Sequence, residues 1–250
     1  MNFLNPYIEI YLRYRNEDQH ELMPFYREVL WLFSKNLDNR LRMFQHRVNI
    51  EIEEGYDIPQ NCKFDSIYSY QTSIDLTNFK KLDEHSKRKQ ILELVHSGFN
   101  SLAEEFNWDK EAIADAYKKS VEENYGFVYY TDYKLSRNRK FKGRIRIDLD
   151  KRLAIFTSEL LGLKTGDLRT AELLQTAQGN FAWWRYIREF GWMDSENFGL
   201  KLKNGQVWIT INTISGEVTG TINPKKSDSR SLEDFLKKLK EPIKPLRSVQ

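Results

Sequence analysis

The sequence predicts an α+β fold, with antiparallel or mixed sheets, helices packed on one face of them, and two sheet-containing halves. Three observations lead to this prediction. Apolar and polar residues alternate with period two in several segments, as in half-buried strands. Two long helical-period segments lie in the first half, and ten of the twelve glycines lie between Gly126 and Gly220. Because glycine marks turns between strands, the second half is expected to be richer in sheet.

The first half, residues 1–125, is predicted to run β-α-β-β-α-α. Its strands are the alternating segments "YIEIYLRYR" (7–15), "FQHRVNIEIE" (44–53) and "IYSYQTSIDL" (67–76). A first helix follows Asp18, which is suited to cap it, and should end near Asn36. A second begins at about Asp83, and a third is expected to be capped by Asn107 or Asp109. The segment 54–65 between the last two strands is expected to be an irregular loop.

The second half, residues 126–240, is predicted to be β-rich with two short helices and a C-terminal helix. The predicted strands are "FVYYTDY" (127–133), "RIRIDL" (144–149), "RLAIFTSEL" (152–160), "FGLKLK" (198–203), "QVWITIN" (206–212) and "VTGTIN" (218–223). The predicted helices are "TGDLRTAELLQTA" (165–177), "NFAWWRYIREFGW" (180–192) and "SLEDFLKKLK" (231–240). Residues 241–250 are expected to form a flexible tail.

Composition points to a soluble, cytoplasmic protein. The sequence has no run near the roughly 18 apolar residues that span a membrane, so we expect no membrane contact. Cys62 is the only cysteine, so an internal disulfide and a zinc site with two thiolates are excluded and a reducing compartment is favoured. The four histidines contain no pair spaced three or four apart. We therefore expect no metal site and no cofactor.

Charge divides unevenly along the chain. Residues 1–125 hold 16 Lys and Arg against 22 Asp and Glu, a net charge of −6, whereas residues 126–250 hold 23 against 14, a net charge of +9. The excess is concentrated between residues 134 and 146, which carry seven cations and no acid. These are Lys134, Arg137, Arg139, Lys140, Lys142, Arg144 and Arg146.

Alternation on the strand that contains Arg144 and Arg146 places both arginines on one exposed face, beside Tyr129 or Tyr130. Cations interleaved with aromatic rings suit phosphate backbones and stacked bases. A solvated basic hairpin that resists edge-to-edge aggregation is the alternative. The segment thus predicts either a phosphate- or nucleic-acid-binding surface or a protective edge.

Residues 179–192 form the most aromatic stretch of the chain. On a helix, Trp183 and Phe190 would share a core-facing side. Other residues of the stretch are tryptophans and arginines, which are residue types that anchor protein interfaces. We interpret four of them, Trp184, Arg185, Arg188 and Trp192, as a partner-binding surface.

Catalytic motifs are scarce, so we lean towards a protein that is not an enzyme. The chain has no Walker A loop, GxGxxG, GxSxG or HExxH motif. The strongest catalytic candidates are Asp148 and Asp150, two carboxylates at strand spacing that suit a divalent ion. They support, as an alternative, a metal-dependent nuclease or nucleotidyltransferase.

The segments "FNSLAEEFNWDKEAIADAYKKSVEENY" (99–125) and "WWRYIREFGWMDSENFGLKLKNGQVWITI" (183–211) resemble uncharacterised bacterial proteins of the toxin-immunity type. This resemblance implies a noncatalytic cytosolic protein of a bacterial conflict or defence system that acts by binding a protein partner. An RNA- or DNA-binding module that uses the hairpin of residues 134–146 is the main alternative. The sequence predicts no particular oligomeric state.

Overall fold

The computed structural model describes residues 8–14, 19–37, 41, 46–52, 59–150, 153–177, 187–202 and 207–222. These residues divide between Phe127 and Val128 into two compact units, which we call the N-terminal and C-terminal units. Within the described ranges, no helix is both long enough and apolar enough to cross a membrane. The helices all belong to the N-terminal unit, so the predicted α+β class is confirmed for the part of the chain described.

The N-terminal unit is a mixed sheet with helices. In chain order its elements are β1 (Ile8–Tyr14), α1 (Gln19–Leu37), β2 (His46–Ile52), β3 (Gln60–Phe64), β4 (Ile67–Thr72), α2 (Leu76–Lys81), α3 (Glu84–Phe106) and α4 (Lys110–Glu122). The strand order is β1-β2-β4-β3, and only β3 runs antiparallel to its neighbour. The two predicted strands at 44–53 and 67–76 are therefore neighbours, in parallel orientation.

Alternation along β2 and β4 decides which face of the sheet carries the helices. Val48 and Ile50 of β2 and Tyr68 and Tyr70 of β4 are buried in one apolar cluster with α1, α3 and α4. Gly98 of α3 permits the close approach, because an added Cβ there would lie 2.6 Å from the Ile50 side chain and 2.9 Å from the Tyr70 ring. The helices thus pack on one face of this sheet, as the sequence predicts.

Helix capping follows the sequence at α3 and α4, whereas Asp18, the cap predicted for the first helix, lies outside the described residues. The carboxylate of Asp83 accepts from the Ser86 backbone N–H at the start of α3, and that of Asp109 accepts from the Ala112 N–H at the start of α4. Asn107, the other residue considered as a cap for α4, instead ends α3 in the left-handed conformation with φ 55°. Asparagine tolerates this conformation better than most residues, and the chain reverses there between the two helices.

Two elements of the N-terminal unit differ from the prediction. The expected loop at 54–65 contains β3, and the short helix α2 follows β4. Among the described strands, β3 pairs only with β4. Its side chains are largely exposed, so it lacks the apolar alternation that signals a strand. Its hairpin turns at Asp65, which has φ 53°. An exposed edge strand of this kind leaves almost no periodic signal in the sequence.

The described part of the C-terminal unit consists of strands. They are β5 (Val128–Tyr130), β6 (Lys134–Leu135), β7 (Phe141–Asp150), β8 (Leu153–Gly162), β9 (Leu168–Ala177), β10 (Ile187–Trp192), β11 (Asn197–Leu202), β12 (Val207–Asn212) and β13 (Val218–Ile222). One sheet has the order β5-β7-β8-β9, with β6 also paired to β7, and the other has the order β10-β11-β12-β13. The neighbours in both sheets are antiparallel.

The two sheets of this unit pack against each other at Gly143 of β7. An added Cβ at Gly143 would lie 2.9 Å from the Phe198 ring and 3.0 Å from the Leu160 side chain. Phe198, Leu160 and their neighbours Ile145 and Phe156 are almost fully buried. Glycine at position 143 therefore leaves the space into which the Phe198 ring of the second sheet packs.

The helices predicted for this unit are wrong wherever the structure describes them. Residues 168–177, predicted as a helix, form β9, and residues 187–192, predicted as the end of a second helix, form β10. Each strand carries a register shift, opposite Phe156/Thr157 in β9 and at Ile187/Glu189 in β10. Such a shift breaks the alternation that would have revealed a strand. Residues 178–186, the predicted helix 231–240 and the tail 241–250 lie outside the described residues.

Candidate functional site

The basic segment predicted from the sequence forms the hairpin of β6 and β7. Its turn, residues 136–140, which we call the basic tip, is held by hydrogen bonds. The Ser136 N–H donates to the Phe141 carbonyl at 2.9 Å, and the Asn138 side chain accepts from the Ser136 hydroxyl at 2.8 Å and from the Lys140 N–H at 3.0 Å. The Asn138 amide donates to the Ser195 carbonyl at 3.2 Å. The tip is thus fixed from both sides.

Three cations of the basic tip are exposed: Arg137, Arg139 and Lys140. Arg139 has φ 54°, a left-handed conformation that costs energy for a residue with a Cβ. Although burial opposes ionisation of Asp194, hydrogen bonds from Asn197 and Glu196 and the charge of Arg137 hold the pKa of that carboxyl below its usual value. The Asp194 carboxylate thus offsets part of the charge of Arg137, while Arg139 and Lys140 present positive charge to solvent.

Behind the tip, β7 has one buried and one accessible face. Residues 143, 145, 147 and 149 are buried, while Lys142, Arg144 and Arg146 are only partly buried on the opposite side. Same-face residues on a strand are about 7 Å apart. The predicted row of cations on one face of this strand is present, and Tyr130, paired in register with Arg146, lies on the same side.

Arg144 is the centre of a cluster that we call the Tyr–Arg stack, made of Tyr130, Arg144 and Tyr133. The Arg144 guanidinium carbon lies 4.0 Å from the centre of the Tyr130 ring and 4.7 Å from the centre of the Tyr133 ring. Its Nε donates to the Glu159 carboxylate at 2.7 Å. The Lys142 ammonium lies 4.4 Å from the Tyr133 ring centre. Both rings thus contact cations and remain partly exposed.

Thr131 holds the loop that carries Tyr133 against β7. Its backbone N–H donates to the Ile145 carbonyl at 3.0 Å, and its hydroxyl accepts from the Ile145 N–H at 2.9 Å. Thr131 is buried, with 5% of its surface exposed. The sequence alone does not single out Tyr133 because it follows the alternating run; an aromatic residue three positions after Tyr130 is the available signal. Tyr129, the other tyrosine predicted beside the arginines, pairs with the buried Ile147 on the other face.

Arg146 forms an ion pair on its own strand. Its Nε and Nη2 donate to Asp148 Oδ1 at 3.0 Å and 2.6 Å, and this hydrogen bonding raises the pKa of the Arg146 guanidinium. Asp148, a candidate metal ligand, is therefore occupied by a cation of the protein. Asp150 is the last residue of β7. The structure, in the ranges it describes, brings together no group of three or more Asp, Glu, His or Cys side chains.

Lys134 is directed towards β10 rather than to the basic face. Its ammonium donates to the Phe190 carbonyl at 2.5 Å and lies 4.2 Å from the Phe190 ring centre. The Trp192 indole N–H donates to the Lys134 carbonyl at 2.8 Å, and its ring packs 5.1 Å from that of Phe198. Lys134 and Trp192, predicted as binding residues, thus join the two sheets of the unit. Arg188 lies in β10, and Trp184 and Arg185 lie outside the described residues.

A second surface feature, not predicted from the sequence, consists of two equivalent turns, 162–167 between β8 and β9 and 212–217 between β12 and β13. In each turn, the backbone N–H of the first residue donates to the backbone carbonyl of the sixth residue at 2.9 Å. The fifth residue is a glycine with positive φ, 73° in the first turn and 74° in the second. The Arg169 guanidinium donates to the Thr213 and Ile214 carbonyls, which links the turns. We call this pair the apolar turns because Leu163 and Ile214 within them are exposed, as are Leu168 and Val218, which begin the strands that follow.

The N-terminal unit contains two polar clusters. Glu51 accepts from the Ser69 hydroxyl at 3.2 Å and from the Gln71 amide at 3.1 Å, on the sheet face opposite the helices. His96 contacts the Asn100 amide at 3.0 Å and stacks on the Tyr117 ring at 4.2 Å, and burial lowers its pKa. Both arrangements are satisfied within the protein and serve the packing of this unit.

Comparison with known proteins identifies no relative. No protein-family model, curated protein or solved structure matches the chain.

Proposed function

We propose that the chain binds nucleic acid through the basic hairpin of β6 and β7. The observation that carries this proposal is the combination of a rigid, exposed cationic tip with a neighbouring face where cations contact exposed tyrosine rings. Phosphate backbones are recognised mainly by such cations, and rings beside them give bases a surface to stack on. The surplus positive charge of residues 126–250 favours the same partner.

The cations of the hairpin divide into two groups by what they contact. Arg144 and Arg146 are neutralised by Glu159 and Asp148, and Lys134 is bound to β10. Exposed charge for phosphates is therefore supplied by the basic tip, together with Lys142. This assignment supports phosphate contacts at Arg139 and Lys140 rather than at the arginines of the strand.

The test measures affinity for a mixed-sequence oligonucleotide of about 16 nucleotides, a length within known site sizes, against salt concentration. Removing one phosphate contact lowers the slope of log K against log[salt] by about 0.7 to 0.9. We expect Arg139→Gly with Lys140→Gln to weaken binding and to reduce the slope by about 1.4 to 1.8. Glycine is chosen at 139 because it accommodates the positive φ, so the variant loses charge without gaining strain.

A matched control separates charge at the tip from charge elsewhere in the chain. Lys118 is exposed on α4 of the N-terminal unit, so Lys118→Gln removes one charge outside the unit that contains the hairpin. It should leave the salt slope unchanged. If wild type binds neither single strands nor duplex, or if affinity is insensitive to salt, nucleic-acid binding is excluded.

A second proposal is that the chain is a cytoplasmic, immunity-like or defence-associated protein that binds a protein partner. The apolar turns favour it, because Ile214 in the second turn is 70% exposed, Leu168 directly after the first turn is 56% exposed, and Arg169 links the two turns. Clustered exposed aliphatic side chains mark protein interaction sites. Trp192, assigned to such a site from the sequence, packs within its own unit instead.

This second proposal is tested with the products of neighbouring genes as candidate partners. Ile214→Asp with Leu168→Asp should weaken a stable complex by at least about tenfold, since a charge placed in an apolar contact opposes its desolvation. Phe64→Asp is the control, because Phe64 is 77% exposed in β3 of the N-terminal unit. Equal binding by the turn variant and wild type would show that the apolar turns are not the partner surface.

A further inference from the structure

Resting on nucleic-acid binding as proposed above, we propose that this interface takes single-stranded nucleic acid, with bases stacked on Tyr130 and Tyr133. The basic tip contacts the phosphates, and the Tyr–Arg stack contacts the bases. The substrate class is therefore an unpaired strand of RNA or DNA rather than a duplex.

The rings of Tyr130 and Tyr133 are accessible to solvent. Tyr130 and Tyr133 are 43% and 37% exposed, although a tyrosine buries favourable area when it packs inward. Each ring already contacts the planar guanidinium of Arg144, at 4.0 Å and 4.7 Å from the ring centres. A base that stacks on either tyrosine ring extends the stack of planar groups formed by that ring and the Arg144 guanidinium. Stacking on one ring contributes about 1–3 kcal/mol per base and accepts any base.

The residues around the Tyr–Arg stack are held by hydrogen bonds. Two hydrogen bonds between Thr131 and Ile145 fix the start of the loop that carries Tyr133, and the buried Glu159 orients Arg144. Tyr130 is part of β5 and pairs with β7. Little conformational freedom remains to be lost when a base stacks, so more of the stacking energy is retained as affinity.

Single strands and duplexes differ in how accessible the faces of their bases are. In a duplex the faces of the bases are covered by their neighbours, and exposing one costs a few kcal/mol of unstacking and unpairing. The Tyr–Arg stack lies on the face of a sheet, next to the hairpin tip. Bases of an unpaired strand reach such a face without that cost, as in other single-strand-binding sheets.

The experiment compares a single-stranded oligonucleotide with a duplex of the same sequence, both with wild-type protein and with ring variants of the full chain. We expect wild type to prefer the single strand by at least tenfold. Tyr130→Leu and Tyr133→Leu should each weaken single-strand binding by about 5- to 100-fold, with the salt slope unchanged. Tyr130→Phe and Tyr133→Phe, which keep the ring, should bind like wild type.

The possible results distinguish failure of the stacking inference from failure of the nucleic-acid-binding proposal. Equal wild-type affinity for single strand and duplex, with a strong salt slope, overturns the stacking inference and leaves nucleic-acid binding in place. Wild-type affinity of both Tyr130→Leu and Tyr133→Leu for the single strand also overturns the stacking inference. If the wild-type protein binds no oligonucleotide at all, both the stacking inference and the nucleic-acid-binding proposal are overturned. The wild-type comparison of strand and duplex needs no variant, so it decides the matter even if a leucine variant unfolds.

Discussion

At the scale of single residues, identical side chains on one hairpin serve different purposes. Arg139 is exposed at the tip, whereas Arg144 donates at 2.7 Å to Glu159, whose side chain is only 7% exposed. Removing a partner from a buried ion pair leaves an uncompensated charge, which costs more than the pair itself contributes. Arg144 is therefore expected to matter for stability as well as for the Tyr–Arg stack. A charge reversal at Arg144 would not report on phosphate contacts alone.

We predict that Arg144→Met lowers the free energy of unfolding by about 3 kcal/mol, the lower end of the range for buried pairs because Arg144 itself is 27% exposed. Arg144→Glu should cost more, since it places two carboxylates together. Urea denaturation followed by circular dichroism measures both.

The control for this prediction is Arg144→Met combined with Glu159→Gln. Glu159→Gln removes the carboxylate that Arg144→Met leaves unpaired. It should restore most of the lost free energy of unfolding, because a neutral amide at 159 is easier to bury than a carboxylate. If the double variant is as unstable as Arg144→Met alone, the loss comes from packing against Tyr130 and Tyr133. The ion pair would then contribute little.

At the scale of elements, the sequence predicts structure where periodicity is uninterrupted. Alternation identifies β2, β4, β7 and β8, and capping carboxylates mark the starts of α3 and α4. These signals are local, because they depend on one face of an element and on the first turn of a helix.

Strands β9 and β10 have sequences that predict helices, for one shared physical reason. The register shift in β9 leaves Leu173 and Leu174 both buried, at 8% and 6% exposure, so apolar residues become adjacent instead of alternating. The shift in β10 places Ile187 and Phe190 both in the core, three positions apart. Buried apolar residues one and three positions apart resemble the periodicity of a helix rather than the alternation of a strand. A bulge depends on the partner strand, so a single sequence does not reveal it.

The candidate site is predictable in part. Charge density alone locates the hairpin and its seven cations, and strand alternation places Arg144 and Arg146 on one face. Tertiary contacts decide the rest. The pairing of Arg144 with Glu159 and the position of Tyr133 depend on neighbouring strands and on a loop held by Thr131. Interactions of this kind have no periodicity in the sequence.

At the scale of the whole molecule, each unit has its own apolar core. The cluster in the N-terminal unit is built from residues between Phe25 and Tyr125, and the C-terminal unit buries residues such as Ile145, Phe156 and Phe198 between its sheets. The two units also carry opposite charge, since residues 1–125 sum to −6 and residues 126–250 to +9. Binding of an anionic partner is thus expected to belong to the C-terminal unit.

We predict that residues 1–127 and residues 128–250, expressed separately, each unfold cooperatively in urea. Each fragment has about twice the roughly 60 residues at which a single core becomes marginal. Residues 128–250 should retain the wild-type affinity for the oligonucleotide and its salt slope, while residues 1–127, which lack the basic hairpin, should bind none. Fluorescence and oligonucleotide titration measure folding and binding on the same samples. A fragment 128–250 that folds cooperatively but binds far more weakly than the full chain would show that the acidic unit contributes to the interface, and would contradict the assignment of binding to the hairpin alone.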